Sequence, residues 1–221
     1  MSVIHTNEKI QPQALDSWDQ RKITIVSDAW HPQVNGVVRT VEATAGALRE
    51  LDHQVQILNP SEFLTVPCPM YPEIRLSLDV WPRVGKLLEE FCPDSILIAT
   101  EGPLGIAARN YCISKGLKFT TNFNTKFPEY IRLRVPIPER WSYKYFQWFH
   151  NPSESVLVPT ESLATYLHER GIKITGWWSR GVDIDLFRPY DESILQDLPR
   201  PISLYVGRIS VSYTHLTLPT S

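Results

Sequence analysis

Short apolar runs alternate along the chain with segments in which apolar side chains recur every three or four residues. Runs of the first kind predict five strands, at residues 23–26, 54–58, 95–100, 117–121 and 155–158. The helical spacing predicts five helices, at residues 37–48, 79–91, 103–115, 141–150 and 161–170. Strands that alternate with helices and are apolar nearly throughout form parallel sheets covered on both faces. The pattern therefore predicts an α/β protein with a Rossmann-like, doubly wound parallel sheet.

Glycine and proline mark where several of these elements begin and end. Gly102 and Pro103 open one helix, because a proline in the first turn lacks only an N–H group that would have no helical partner. Gly116 and Gly171 close two others, as glycine commonly does. The proline-rich segment 60–72 is predicted to be a long irregular connection.

Composition shifts along the chain predict its domain organisation. Residues 1–20 are polar and aperiodic, which is typical of a flexible leader, and residues 21–180 form the Rossmann-like domain. Residues 181–201 are rich in proline and acidic side chains, as linkers are. Residues 202–210 are predicted to be the first strand of a truncated second domain. Residues 211–221 break the pattern abruptly, and we expect them to be a non-native tail.

The overall composition narrows the class of protein without identifying it. Of the 221 residues, 43% are hydrophobic and 21% charged, which is typical of a globular protein. A formal net charge of -2 gives no general attraction to nucleic acid. No run reaches the roughly 18 apolar residues of a membrane helix. Three cysteines without a CxxC pair predict neither a disulfide framework nor a zinc site. We expect a cytoplasmic protein with no metal and no nucleic-acid partner.

Polar loops follow four of the predicted strands. Ligands of open parallel sheets bind beyond the carboxyl ends of the strands, where helix N-termini offer unpaired N–H groups. The loops in this position are residues 31–36, 100–102, 122–126 and 159–161. They predict one polar cleft along one edge of the sheet.

The first two loops carry candidate binding residues. Asn35 and Gly36 precede a helix, where a glycine would let an anion such as a phosphate approach the backbone. A glycine needed only for a tight turn explains the same pattern. Glu101 follows a strand and precedes Gly102, so it is either a carboxylate at a helix terminus or a ligand for a sugar hydroxyl.

The third loop could supply three kinds of group to one polyhydroxylated ligand. Asn124, Thr125 and Lys126 would provide an amide, a hydroxyl and a cation, although a plain polar loop is an equal alternative. Asp183 and Asp185 match a short DxD pattern that holds metals in other transferases. We interpret them as solvated carboxylates, because no further metal ligands accompany them.

Cations and aromatic side chains crowd residues 126–149. An amphipathic core helix would explain the aromatic residues. The alternative is a cationic, aromatic rim that meets anionic lipid headgroups or stacks on a sugar ring, with Arg132, Arg134, Arg140 and Trp141 as its membrane-facing residues. The histidines have neither metal-site nor triad spacing, so each is expected to be packed or solvated.

Several motifs occur in a fixed order over residues 21–210. They are IVSDAWHPQVNGVVRT (25–40), ATEGPLG (99–105), FNTKFPEY (123–130), PTE (159–161), RGVD (180–183), FRP (187–189) and YVGR (205–208). Together they resemble family 4 of the glycosyltransferases, and within it the α-mannosyltransferase-like branch and its sulfoquinovosyltransferase relatives.

The resemblance implies a GT-B fold, in which two Rossmann-like domains face each other. The first domain would bind the acceptor and the second a nucleotide-diphosphate sugar, with transfer that needs no cofactor or metal and retains the anomeric configuration. The resemblance places Asn35 and Gly36 beside the donor diphosphate, and Arg208 would neutralise that diphosphate. Glu101, Thr125 and Lys126 would contact acceptor or sugar.

Two departures from the family pattern matter. Asn124 stands where the family usually has a histidine that reaches toward the transferred sugar. As the candidate catalytic residue it can hydrogen-bond the sugar but does not titrate near neutral pH, which argues against proton transfer. The lysine and paired glutamates of the family's donor domain are also absent, because the pattern changes at Val211. We therefore expect the chain to be inactive alone.

The leading hypothesis is a retaining hexosyltransferase at the inner face of the cell membrane. It would transfer a sugar, with mannose from GDP-mannose as the first candidate, to a lipid or glycan acceptor. The alternative is a non-catalytic module that binds a sugar or an anionic headgroup. An unrelated Rossmann-like nucleotide binder is a third hypothesis.

Overall fold

The computed structural model describes residues 19–33, 35–68, 71–123 and 139–179, together with positions 181, 182, 184, 186–189, 199, 201 and 202. The chain divides into two units, Met1–Arg180 and Gly181–Ser221. Every helix and strand named below belongs to the first unit.

Strands and helices alternate through most of this unit. The described strands are β1 (Lys22–Val26), β2 (Gln54–Leu58), β3 (Thr65–Cys68), β4 (Tyr71–Ser77), β5 (Ser95–Ile98), β6 (Thr120–Asn122), β7 (Ser155–Val158) and β8 (Gly176–Trp177). The described α-helices are α1 (Gly36–Glu50), α2 (Arg83–Phe91), α3 (Pro103–Lys115), α4 (Glu139–His150) and α5 (Glu161–His168).

Six of the strands form one parallel sheet in the order β2-β1-β5-β6-β7-β8. From β1 the chain moves outward to β2, and it then returns to place β5 on the other side of β1. The strand order therefore reverses between β1 and β5. In open α/β sheets ligands bind beyond the carboxyl ends of the strands at such a switch point. The sheet confirms the predicted Rossmann-like α/β fold.

Helices pack on both faces of the sheet. Successive side chains of a strand point to opposite faces. On one face Ile25 of β1 packs with Val41 and Ala45 of α1. On the other face the next residue, Val26, belongs to a cluster that includes Leu104 of α3. Burial on both faces explains why the strands are apolar nearly throughout.

The prediction of an irregular connection at 60–72 is wrong. The segment contains a short 3-10 helix, Pro60–Glu62, and β3, which pairs antiparallel with β4 in a two-stranded ribbon. Pro67 lies opposite Arg75 in that ribbon. A proline fits because both strands of a two-stranded ribbon are edges, so its missing N–H group can fall on the unpaired side.

Two predicted boundaries also move. Helix α2 begins at Arg83 and not at 79, because the residue before Pro82 is disfavoured in a helical conformation. Strand β6 begins at Thr120 and not at 117, because the N–H group of Leu117 still binds the Cys112 carbonyl at 2.8 Å and closes α3. Gly116, directly after the last residue of α3, has a φ of 64°, the left-handed conformation that glycine adopts readily.

The helices of the described residues are short. The longest of them, α1, has 15 residues. None within the described part of the chain combines the length and apolar character that crossing a membrane requires.

Candidate active site

Two loops flank the switch point at the carboxyl edge of the sheet. The first, residues 27–35, joins β1 to α1, and the second, residues 99–102, joins β5 to α3. The loops that follow β6 and β7 begin at the same edge, because all four strands are parallel neighbours. The four predicted polar loops thus follow adjacent strands.

Asp28 ties the first loop to the second. Its carboxylate accepts hydrogen bonds from the backbone N–H groups of Leu104 (2.8 Å) and Gly105 (3.2 Å) in the first turn of α3. The Thr100 hydroxyl donates to the same carboxylate at 2.8 Å and accepts from the backbone N–H of Asp28 at 2.6 Å. We call this arrangement of Asp28, Thr100, Leu104 and Gly105 the Asp28 cap.

The Asp28 cap depends on two glycines. A Cβ atom on Gly102 would lie 2.4 Å from Cγ of Asp28, and one on Gly105 would lie 2.0 Å from the Thr100 carbonyl oxygen. Real Cβ atoms do not approach other heavy atoms so closely. The glycines of the GPLG sequence are therefore needed for the close approach of β5, α3 and Asp28.

Burial sets the charge state of the cap. Asp28 is only 9% exposed. The pKa of Asp28 is raised to about 6, mainly by burial and to a smaller extent by the nearby Glu101 carboxylate. The hydrogen bonds from Leu104, Thr100 and Gly105 oppose this rise. Asp28 therefore changes charge in a range close to neutral pH.

The N-terminus of α1 is capped by a neutral side chain. Asn35 Oδ1 accepts from the N–H groups of Val37 (2.9 Å) and Val38 (3.1 Å), and its Nδ2 donates to Gln33 Oε1 (3.1 Å). Gly36 is the first residue of α1 and does not have a positive φ. A left-handed backbone conformation therefore does not explain the glycine at this position. An anion would have to approach this helix through the backbone, because the Asn35 amide is already engaged.

Glu101 lies between the Asp28 cap and α4. Its backbone carbonyl accepts a hydrogen bond from the Tyr145 hydroxyl, and its Oε1 lies 3.3 Å from Nε2 of His150. Burial raises the pKa of Tyr145 to about 12, helped by Glu101 and Asp28, so the phenol keeps its proton. Glu101 does not cap α3, since Asp28 does. The Glu101 side chain is 16% exposed at the carboxyl edge of the sheet.

Helix α4 combines both interpretations of the aromatic segment. Tyr143, Phe146 and Phe149 are buried, as in an amphipathic core helix. Trp141 is 56% exposed and lies beneath the Arg140 guanidinium and the Lys144 ammonium, at 6.0 and 5.4 Å from the ring centre. Arg140 and Trp141 are therefore both on the surface, as a rim would require.

Arg109 of α3 holds the end of α4. Its Nε donates to the Phe149 carbonyl at 3.0 Å, its Nη2 donates to the Trp148 carbonyl, and its guanidinium stacks on the Trp148 ring at 3.9 Å. Cations that bind the last carbonyls of a helix stabilise it. The half-exposed Trp148 ring is therefore covered on one face by the Arg109 guanidinium.

Several predicted site residues lie outside the described residues. They are Asn124, Thr125, Lys126, Arg132, Arg134 and Arg208, together with Asp183 and Asp185 of the DxD pattern. Their roles remain predictions.

The sequence analysis missed Asp28, Thr100 and His150. Asp28 comes two residues after a buried strand, a position where a polar residue commonly meets a neighbouring loop. The GPLG sequence begins 74 residues after Asp28. Nothing in the local sequence around either segment predicts their contact, because it is formed only in the tertiary structure. His150 ends an aromatic helix and carried no motif.

Comparison with known proteins identifies the family. Residues 34–186 match the model of Glycosyltransferase Family 4. The chain belongs to glycosyltransferase family 4. The matched region includes α1, α4 and the first turn of α3, whose N–H groups donate to Asp28.

Named relatives in this family are similar to the chain over most of its length. It is 26% identical to the GDP-mannose-dependent alpha-mannosyltransferase of Mycobacterium tuberculosis, over 86% of this chain and 56% of the relative. The same-named protein of Mycolicibacterium smegmatis is 28% identical with the same coverage. Sulfoquinovosyl transferase SQD2 of Arabidopsis thaliana is 24% identical, over 91% of this chain and 44% of that protein. The chain thus spans about half the length of these relatives.

Proposed function

We propose that the protein serves in the retaining transfer of a hexosyl group from a nucleotide-diphosphate sugar to a lipid or glycan acceptor. Membership of glycosyltransferase family 4 supports glycosyl transfer. Three relatives named GDP-mannose-dependent alpha-mannosyltransferase favour GDP-mannose as the donor. Because another relative is named sulfoquinovosyl transferase, a sulfoquinovose donor is the second donor to compare with GDP-mannose in an assay.

One observation of the fold supports a sugar site at the switch point. Glu101 offers a carboxylate at the carboxyl edge of the sheet, anchored from within by α4 through Tyr145 and His150. Its Oε2 has no hydrogen bond or ion pair with any described residue. A carboxylate oxygen in that state can accept a hydrogen bond from a sugar hydroxyl.

The N-terminus of α1 is the proposed contact for the donor diphosphate. Its cap, Asn35, carries no charge, so the positive end of the helix dipole remains available to an anion near Gly36. Helix α3 offers no such site, because the Asp28 carboxylate already occupies its first turn. By resemblance alone, Asn124, Thr125 and Lys126 are proposed as further sugar contacts, and Arg208 is proposed to neutralise the donor diphosphate.

The test is a transfer assay on the 221-residue chain and on any longer product of its gene. GDP-mannose is supplied with lipid and glycan acceptors, and released GDP and glycosylated product are measured. In the active form Glu101→Gln should lower kcat/KM at least about tenfold, the effect of one charge-assisted hydrogen bond. Glu154→Gln is the matched control, because Glu154 is exposed and pairs with Lys118 away from the site. Failure of every donor and acceptor to react in both forms contradicts the proposal.

A second candidate function is binding to an anionic membrane surface, with or without catalysis. The exposed Trp141 with Arg140 and Lys144 favours it, since tryptophan and cations are typical of protein–membrane interfaces. We expect Trp141→Ala to weaken binding to vesicles that contain anionic lipid several-fold. Trp177→Ala is the control, because Trp177 is 59% exposed on β8. Equal loss in both variants, or no binding to vesicles at all, contradicts the rim.

A further inference from the structure

His150 is the last residue of α4 and is fully buried. Three phenylalanine rings surround it, those of Phe123, Phe146 and Phe149, with ring centres 5.0 to 6.1 Å from its own. A histidine in such surroundings needs partners for both ring nitrogens. Only two polar side chains reach it among the described residues, those of Thr121 and Glu101.

The hydrogen bonds of Thr121 allow two tautomers of His150, and the Glu101 carboxylate beside Nε2 decides between them. The Thr121 hydroxyl lies 2.9 Å from His150 Nδ1 and 3.3 Å from the Ser153 hydroxyl. Ser153 donates its own proton to a backbone carbonyl, that of His150 at 2.7 Å or that of Ser155 at 3.0 Å. If Thr121 donates to Nδ1, Nε2 bears a hydrogen. The opposite tautomer would place a bare nitrogen lone pair against the Glu101 carboxylate.

The protonated Nε2 then faces Glu101. Nε2 has no aligned hydrogen-bond acceptor among the described residues, and Glu101 Oε1 lies 3.3 Å away. The contact is therefore electrostatic in this arrangement. Tyr145, five residues earlier on α4, donates a hydrogen bond to the backbone carbonyl of the same glutamate. Helix α4 thus holds Glu101 at both its backbone and its side chain.

We propose that His150 and Thr121 are positioning residues that orient the Glu101 carboxylate, through Nε2–H and Oε1, so that Oε2 meets a hydroxyl group of the bound sugar or acceptor. This inference rests on the proposed function in its last step only. The orientation itself is a property of the chain without ligand.

The first experiment tests the orientation without any activity. The 221-residue chain is labelled with ¹⁵N-histidine, and the ring nitrogens of His150 are observed by NMR. We expect a proton on Nε2 and none on Nδ1, and a clear shift of the Nε2 signal in Glu101→Gln. His53 serves as an internal control, because it is buried near Arg21, beside the first residue of β2, and contacts no part of this cluster. A proton on Nδ1 with a bare Nε2, or a signal that Glu101→Gln leaves unchanged, overturns the proposal.

The second experiment compares two substitutions in whichever form is active. In His150→Gln the amide nitrogen reaches about the place of Nε2, whereas in His150→Asn it reaches about the place of Nδ1. We expect His150→Asn to raise the acceptor KM about tenfold with little change in kcat, and His150→Gln to restore it to within about threefold. His53→Gln should leave both parameters unchanged.

The outcomes separate this inference from the proposed function. If no sugar is transferred while the NMR result is as expected, the proposed function fails and the orientation of Glu101 stands. If transfer occurs but both His150 variants lose activity equally, with thermal stability lowered to the same extent, His150 is structural only and the positioning role is overturned.

Discussion

The helices that begin at the two switch-point loops satisfy their first N–H groups in opposite ways. Helix α1 uses Asn35, a neutral residue that immediately precedes it. Helix α3 uses the buried carboxylate of Asp28, which accepts from the N–H group of Leu104, 76 residues later in the chain. A local neutral cap leaves the positive end of the helix dipole without a compensating charge, whereas a remote charged cap compensates it and joins two loops. The same edge of the sheet thus has one helix end with a neutral cap and one with a carboxylate cap.

The largest expected difference between the two helices concerns glycine. Gly105→Ala in α3 should lower the free energy of unfolding by about 3 kcal/mol or more, because its Cβ would lie 2.0 Å from the Thr100 carbonyl oxygen. Gly46→Ala in α1 should raise it by about 0.5–1 kcal/mol, because nothing lies within 4 Å of its Cβ. Urea unfolding monitored by circular dichroism measures both. Similar effects of the two substitutions would show that α3 is not tightly held.

Removal of the remote cap should be nearly as costly. Asp28→Ala leaves the N–H groups of Leu104 and Gly105 buried without acceptors, which we expect to cost about 3 kcal/mol in the free energy of unfolding at pH 5. The same urea experiment tests it, with hydrogen exchange to locate the loss in the first turn of α3. Unchanged exchange at Leu104 and Gly105 would contradict the assigned cap.

The charge of the remote cap should make stability depend on pH. Burial raises the pKa of folded Asp28 to about 6 from an ordinary value of 3.8, so the folded state favours the protonated acid. The contribution of Asp28 is therefore fully present below about pH 4 and is lost as pH rises through 6. Relative to Asp28→Asn, the wild-type free energy of unfolding should fall by about 2.4 kcal/mol between pH 4 and pH 7. A constant difference between the two proteins across this range would contradict the raised pKa.

The smallest expected effect belongs to the local cap. Asn35→Ala should lower the free energy of unfolding by about 1 kcal/mol at every pH, since the cap is neutral. Asn35→Ser should recover most of that loss, because serine also caps helices well. A pH-dependent loss, or a loss as large as that of Asp28→Ala, would remove the distinction between the two helix ends.

Most of the fold could be predicted from the sequence, because its signals are local. The apolar runs that became β1 and β7 and the helical spacing of α1 each lie within one segment. Gly116 ends α3 through its own backbone conformation, with no distant partner. The ribbon of β3 and β4 was missed because proline in an edge strand looks like proline in a loop.

The candidate site was predictable only in part. Asn35 and Glu101 were identified because each lies beside the start of a helix, but their partners were not. The Asn35 side chain caps its own helix. Glu101 was expected as a possible carboxylate at the start of α3, but Asp28 has that role. The contact between Glu101 and His150 joins residues 49 positions apart, which no sequence motif connects.

The sequence by itself determined that this chain forms a parallel α/β sheet, where its helices begin, and which family it resembles, because periodicity, caps and ordered motifs are written along the chain. Only the tertiary structure decided which carboxylate caps α3 and which remains open at the edge. The difference follows from burial and from the geometry of the switch point. They bring β1, β5 and α4 together, raise the pKa of Asp28 and place Glu101 beside His150.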